Sequence, residues 1–484
     1  MPNYFSYKNL DDLRTDVTKR DLDIQFDEKI ERVLQPVQIG HRRIGNALGI
    51  QPMEGCDGDL AGTPGPLTYR RWQRFGEGGA KLIWGEATAV WKDARANPRQ
   101  LVIDEKNLGS FAELVKVTRD GHRRIFGNTD DLLIGLQITH SGRYAHEKPF
   151  LVYHHPQVDA ITYLDKNKGI YIPEDYPVVS DDYLERLEDR FTEVALLVQR
   201  AGFDFIDIKQ CHTYLLSELL GARSRPGKYG GEFENRTRFL RNVLGKIRDV
   251  VGKDFILASR INAYDGVPYR MNPKTRIGEP IPFETPYTYS FGVDPGNPLH
   301  EDLSEVKQLL QLMIDHSVSL VNISMGSPYY NMHVGRPYEK APVDGYESPE
   351  HPLQGIDRQF RIAGELQRAF PNLPLVGTGY SWLQRYLVNA AEANMKNGKI
   401  SIASTGRGAI AYPDYVKDLM EFGELKRSKV CIAISYCTNL MRSKHNEYGQ
   451  FETGCVPRDP VYAKIYKESL KTQKIEQDKE KVSH

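Results

Sequence analysis

The stretch YLERLEDRFTEVALLVQR, residues 183–200, runs directly into AGFDFIDIK, residues 201–209, and the change of period between them decides the fold class. In the first half Leu184, Leu187, Phe191, Val194, Leu197 and Val198 recur every three or four residues. They form one apolar stripe, as on a helix laid against a core. The second half is a short, nearly continuous apolar run, Phe205–Lys209, buried on both faces as a strand of a parallel sheet is. Working outward, the helical pattern returns at Phe233–Val251, through Phe239, Leu240, Val243 and Ile247. Strand-like runs stand at Ala47–Pro52, Lys81–Trp84, Leu132–Ile138, Phe255–Arg260, Ser319–Ser324, Pro374–Val376 and Ile400–Ser404. Eight strands alternating with helices predict an α/β protein, a (β/α)8 TIM barrel.

The remaining composition fits one large barrel. The chain has 484 residues, 40% of them apolar, and single barrels with inserted loops reach this size. The expected layout is an N-terminal extension over 1–33 and a barrel over 34–463. Long strand-to-helix loops are inserted at 143–180, 262–300 and 325–354, and a charged tail, helical or disordered, covers 464–484. Lys and Arg number 64 and Asp and Glu number 64; that balance opposes a general grip on nucleic acid or an anionic membrane. The longest apolar run, Leu132–Ile138, is far too short to span a bilayer, and the polar N-terminus does not read as a secretory signal. Five cysteines, an odd number in a large chain, suit a reducing, cytoplasmic setting. A homo-oligomer is expected, and His154 and His155 are expected at the surface.

Barrel enzymes draw reactive groups from strand ends and the loops after them. The first strand is followed by Pro52-Met53-Glu54-Gly55-Cys56 and the second by Gly85-Glu86-Ala87-Thr88. The third ends in Gln137-Ile138-Thr139-His140-Ser141-Gly142-Arg143, the fourth in Lys209-Gln210-Cys211-His212-Thr213-Tyr214 and the fifth in Arg260. The glycine turns Gly377-Thr378-Gly379 and Gly406-Arg407-Gly408 after strands seven and eight read as a phosphate site. Glycine lets backbone N–H groups approach an anion, and Arg407 adds a cation. Plain turns are the alternative. The tyrosines of the long loops, with His333 among them, are either a lid over a bound ligand or anchors that let the loops pack.

These motifs resemble the Old Yellow Enzyme (NADH:flavin oxidoreductase) family. The resemblance rests on Gly202-Phe203-Asp204, on Lys209 through Leu216, and on Tyr229-Gly230-Gly231 followed by Glu234-Asn235-Arg236 and Arg238-Phe239. Gln137 with His140-Ser141-Gly142-Arg143, the Pro52-Met53 turn and Thr405-Gly406-Arg407 match in the same order. The resemblance implies a barrel with non-covalent FMN at its C-terminal mouth. It implies hydride transfer from NADH or NADPH through flavin N5 to an electrophilic small molecule, usually an activated alkene. Carried over residue by residue, Pro52, Met53, Glu54, Ala87, Gln137 and Arg260 fall around the flavin ring. Gly377, Gly379, Gly406 and Arg407 fall on its phosphate. Tyr214 falls on the proton donor, and Lys209 and His212 on the pair that holds the substrate's oxygen. Tyr329, Tyr330 and His333, in the loop after strand six, are expected on the substrate side from the tyrosine-rich loop itself.

The departures from the family pattern are informative. Lys209 stands where relatives carry histidine; it either polarises the substrate oxygen or forms a structural ion pair with Asp207 or Glu54. Glu54 replaces a Thr or Cys, and a carboxylate beside a reduced flavin is unfavourable unless protonated or paired. No GxGxxG follows the barrel, and Cys431, Cys437 and Cys455 lack the spacing of the family's iron–sulfur motif, so no metal is expected. Two other activities remain open: flavin-dependent oxidation of an amine or alcohol, and a flavin-binding isomerase, lyase or non-catalytic flavoprotein.

Overall fold

The computed structural model describes residues 4–165, 168–442 and 450–482, with side chains as far as 472. All eight expected strands form and close into one parallel barrel: β1 (Leu48–Ile50), β2 (Leu82–Ala89), β3 (Leu133–Thr139), β4 (Phe205–Ile208), β5 (Ile256–Asn262), β6 (Val318–Ser324), β7 (Leu375–Gly377) and β8 (Ile402–Thr405). Each strand is followed by a helix on the outer ring: α1 (Pro66–Glu77), α2 (Leu108–Phe126), α3 (Asp181–Arg200), α4 (Arg238–Val251), α5 (Ser304–Asp315), α6 (Pro352–Ala369), α7 (Leu387–Lys396) and α8 (Tyr415–Phe422). The stripe read on residues 183–200 is the buried face of α3. The lower end of the barrel is plugged. A hairpin, Val37–Ile39 paired with Arg42–Ile44, sets Ile39 and Ile44 against Leu82, Leu133, Phe205, Ile256, Leu320 and Ile402. Ligand access is therefore from the C-terminal mouth.

One strand differs from its expected bounds. The second strand is expected to end at Trp84, yet β2 continues through Gly85 to Ala89. A Cβ at residue 85 would lie 2.4 Å from the Gly135 carbonyl and 2.5 Å from the Trp72 ring. The glycine thus permits close packing and marks no turn. The register slips at this point, leaving Glu86 as the extra residue of a bulge. Glu86 accepts from Arg71, from Trp72 Nε1 at 3.2 Å and from the Gly55 amide at 3.0 Å. Arg71 also pairs with Asp57, and all three are buried. This cluster secures the turn after β1.

The long loops are packed structure. The loop after β3 corrects the surface expectation for His154 and His155. His155 is buried beside the rings of Tyr153, Tyr287 and Tyr289, and half-buried His154 bonds Asp159 at 2.8 Å and the Tyr176 carbonyl at 2.9 Å. Tyr264, Tyr287 and Tyr338 are fully buried anchors. The N-terminal arm docks on the same side. Tyr4 and Phe5 donate their amides to Glu339, and Phe5 packs edge-on to Trp382. A helix covers Pro460–Val482; the last two residues of the expected tail lie outside the described ones. No helix among the described residues is long and apolar enough to cross a membrane.

Candidate functional site

A cavity of 380 Å³ opens at the C-terminal mouth, within the range of cofactor and substrate sites. It gathers residues that are far apart in the chain. Pro52, Met53 and Glu54 come from the loop after β1, Ala87 from β2 and Gln137 from β3. Lys209, His212 and Tyr214 follow β4, and Arg260 comes from β5. Gly379 follows β7, and Gly406 and Arg407 follow β8.

Gln137 is held by β3. Its Nε2 donates to Asp207 Oδ2 at 2.6 Å, which leaves Oε1 as an acceptor toward the cavity. The same carboxylate receives Trp84 Nε1 at 2.7 Å and the Arg260 amide at 2.7 Å. Asp207 is therefore committed to three donors and forms no ion pair with Lys209. Arg260 reaches Ser324 Oγ at 3.3 Å while its Nε is buried without an acceptor.

The arc after β4 is backbone-strained. His212 and Thr213 hold φ of +65° and +56°, a rare pair of left-handed residues that are not glycine. Thr213 Oγ1 meets Ser327 Oγ at 3.0 Å, and the Leu215 amide bonds the His140 carbonyl at 3.1 Å; these contacts hold the turn. As a result Lys209, His212 and Tyr214 all face one cavity. Lys209 Nζ lies 3.6 Å from the centre of the Tyr214 ring, and the Tyr214 and Tyr329 hydroxyls are 3.0 Å apart. Neither Asp207 nor Glu54 forms an ion pair with Lys209 among the described residues, so the structural-pair alternative fails. Burial lowers the Lys209 pKa to about 8 against the pull of Cys211 and Glu54. Burial raises that of Glu54 to about 7, countered by the Lys209 charge. A Glu54 carboxyl that holds its proton up to near neutral pH meets the condition for standing beside a reduced flavin. His212 is kept neutral by burial and by the cations Arg260 and Lys209, and its Nε2 lies 3.2 Å from Ser324 Oγ.

The two glycine turns form a cradle. Gly379 has φ +96°, and a Cβ on Gly406 would stand 2.7 Å from Met53 Sδ. Arg407 Nη2 donates to the Pro337 carbonyl at 2.7 Å, and Nη1 is buried with no acceptor. Close backbone approach and an unfilled cationic donor fit a phosphate. With the Gln137 acceptor and the unfilled Arg260 donor, the residues present fit FMN.

Three expected site residues lie elsewhere. Gly377 is inside β7, where a Cβ would stand 2.6 Å from Ile400; it serves packing. Tyr330 and His333 are buried away from the cavity. The Tyr330 carbonyl accepts from the Tyr269 amide at 3.1 Å, and His333 Nδ1 lies 2.7 Å from Tyr346 Oη. The reason is a helical turn, Met332–Gly335. It turns Met332, Gly335 and Arg336 toward the cavity at i, i+3 and i+4, and His333 away. Tyr329 does line the cavity, stacked on Tyr144 at 3.6 Å.

Other lining residues escaped the sequence reading, chiefly Asn97, Arg336 and the face Cys437, Thr438, Met441 and Arg442 of the helix Tyr436–Arg442. The spacing i, i+1, i+4, i+5 of the last four is that of one helix face. The specific Tyr229–Arg236 block, by contrast, is architecture. Tyr229 Oη donates to Glu188 at 2.7 Å, and Arg236 binds Glu305 at 2.6 Å and the Leu220 carbonyl. Arg143 likewise pairs with Glu218 and Asp159 beneath the loops.

Among curated proteins, the chain is 26% identical over 337 residues to the NADH:flavin oxidoreductase FG08077 of Gibberella zeae, covering 61% of this chain and 74% of that protein. It is 27% identical over 237 residues to an NADPH dehydrogenase of Clostridium acetobutylicum, covering 48% and 65%. The structure of the Old Yellow Enzyme homologue from Zymomonas mobilis superposes with a TM-score of 0.58 at 18% identity, over 82% of this chain and 95% of that one. Residues 32–275, half of the sequence, match the NADH:flavin oxidoreductase / NADH oxidase family model, and the chain belongs to that family of FMN enzymes with NADH or NADPH as reductant.

Proposed function

We propose that this chain reduces an electrophilic small molecule, an alkene conjugated to a carbonyl or carboxyl group, with electrons from NADH or NADPH. The observation that carries this reading is the convergence of Lys209, His212 and Tyr214 on the cavity that also holds Gln137, Arg260, Gly406 and Arg407. FMN, when bound, supplies the transfer of hydride between nicotinamide and substrate. Gln137 and Arg260 grip the polar edge of its ring, and Gly379, Gly406 and Arg407 take its phosphate. Lys209, as an ammonium, and the neutral imidazole of His212 donate to the substrate's oxygen, where negative charge grows. Tyr214 delivers a proton to the substrate carbon from its hydroxyl. Its phenol stays protonated because burial and the neighbouring Tyr329 raise its pKa. Oxidation of a cationic amine is opposed by the lining, where, among the described residues, five cationic side chains face a single carboxyl.

The test is direct. Purified protein should release FMN on heating, identified by mass spectrometry, and should consume NADPH or NADH in the presence of 2-cyclohexenone with formation of cyclohexanone. A colourless protein that takes up no added FMN contradicts the reading.

A further inference from the structure

We propose that the Arg336 guanidinium, steadied by Thr438, binds a carboxylate carried by the substrate, so that the molecule reduced in this cavity is an anion. This rests on the reductase reading above and narrows its substrate class. Among the described residues the cavity carries Lys209, Arg260, Arg336, Arg407 and Arg442 against Glu54 alone, a charge excess that favours anionic ligands. Arg442 already pairs with Asp344 at 3.2 Å and donates to the Pro328 carbonyl. Arg407 belongs to the glycine cradle, and Lys209 lies over Tyr214.

Arg336 differs from these. Nη1 donates to Thr438 Oγ1 at 2.6 Å, whereas Nε and Nη2 are buried with no acceptor, and no carboxylate among the described residues pairs with it. Two shielded donors without acceptors are costly. The planar guanidinium presents them as a fork that matches the two oxygens of a carboxylate. Burial, with Arg407 and Arg442 close by, also presses on its charge, and a bound anion would relieve that pressure. Arg336 lines the same cavity as His212 and directly precedes Pro337, whose carbonyl accepts from Arg407 of the cradle. An FMN phosphate and a substrate carboxylate share the chemistry it offers. The charge excess favours the carboxylate: a phosphate dianion is met by Arg407 and the backbone of two glycine turns, and Arg336 remains.

The experiment titrates FMN-loaded holoenzyme with benzoate and with benzamide, followed by the visible absorbance of the bound flavin. Wild type should bind benzoate more tightly than benzamide. Arg336→Met should keep its full FMN content and weaken benzoate by about tenfold or more, with benzamide little changed. Thr438→Val, which retains the charge and removes the hydroxyl that orients it, should weaken benzoate by a smaller factor. Loss of FMN from Arg336→Met with benzoate affinity preserved in the remaining holoenzyme assigns the residue to the cofactor phosphate and overturns the proposal. Equal affinity of wild type for the two probes, or benzoate binding unaffected in both variants, also overturns it. The two readings fail separately. Benzoate indifference in a holoenzyme that NADPH reduces removes the carboxylate subsite alone, and Arg336-dependent benzoate binding in a holoenzyme that neither nucleotide reduces removes the reductase reading alone.

Discussion

The ammonium of Lys209 sits 3.6 Å from the centre of the Tyr214 ring. Two residues five apart, leaving the same strand, thus hold each other over the cavity by a cation–π contact. Glu54 attracts the lysine's charge without forming an ion pair with it, so the ammonium keeps its donors for whatever oxygen enters.

That availability sets a pH dependence. Lys209 is charged below its pKa of about 8 and loses the proton above it. The kcat/KM for an enone should therefore fall as pH rises through about 8. Lys209→Met should flatten that limb and lower the rate by about 10²-fold, the scale of losing one oxyanion donor, while FMN remains bound. Steady-state profiles of both proteins check it.

Tyr214 and Tyr329 share a hydrogen bond at 3.0 Å, and only Tyr214 is expected to pass the proton. Tyr214→Phe should leave reduction by NADPH intact and slow reoxidation by an enone by about 10²-fold or more. Tyr329→Phe should have a smaller effect. Stopped-flow traces of the two half-reactions separate the variants.

The buried Arg71–Asp57–Glu86 cluster fixes the turn that carries Pro52, Met53 and Glu54. Arg71→Met leaves two buried carboxyls without their cation. It should cost about 3–5 kcal/mol of stability and weaken FMN binding with it. Urea denaturation measures the first and flavin fluorescence titration the second.

Arg407 offers one unfilled donor beside the glycine cradle. Arg407→Met should raise the Kd for FMN by about tenfold or more and change riboflavin binding little, since riboflavin has no phosphate. Comparative titration with the two flavins tests this.

The barrel was legible because each strand is apolar on both faces and each helix carries a stripe, as 183–209 shows. The continuation of β2 past Trp84 was not legible, because a glycine needed for packing, as Gly85 is, looks the same in sequence as one needed for a turn. The Lys209–His212–Tyr214 arc was legible because it follows one strand directly. Tyr330 and His333 were misplaced because a single helical turn decides which side chains enter, and four residues are too few to announce a period. Arg336 and Thr438 were missed for a related reason. They reach the mouth from a long loop and from the segment after the barrel, and their nearness depends on how those pieces pack over the strands.

The central claim is that one cavity holds FMN and passes electrons from nicotinamide to an electrophile. Anaerobic double mixing tests it most directly: FMN-loaded protein is mixed first with one equivalent of NADPH or NADH, then with 2-cyclohexenone, and flavin absorbance is followed. The account predicts bleaching by at least one nucleotide in the first mix and recovery of the oxidised spectrum in the second, with one cyclohexanone formed per flavin. A flavin that neither nucleotide bleaches, or that once bleached is not reoxidised by any activated alkene, would contradict it.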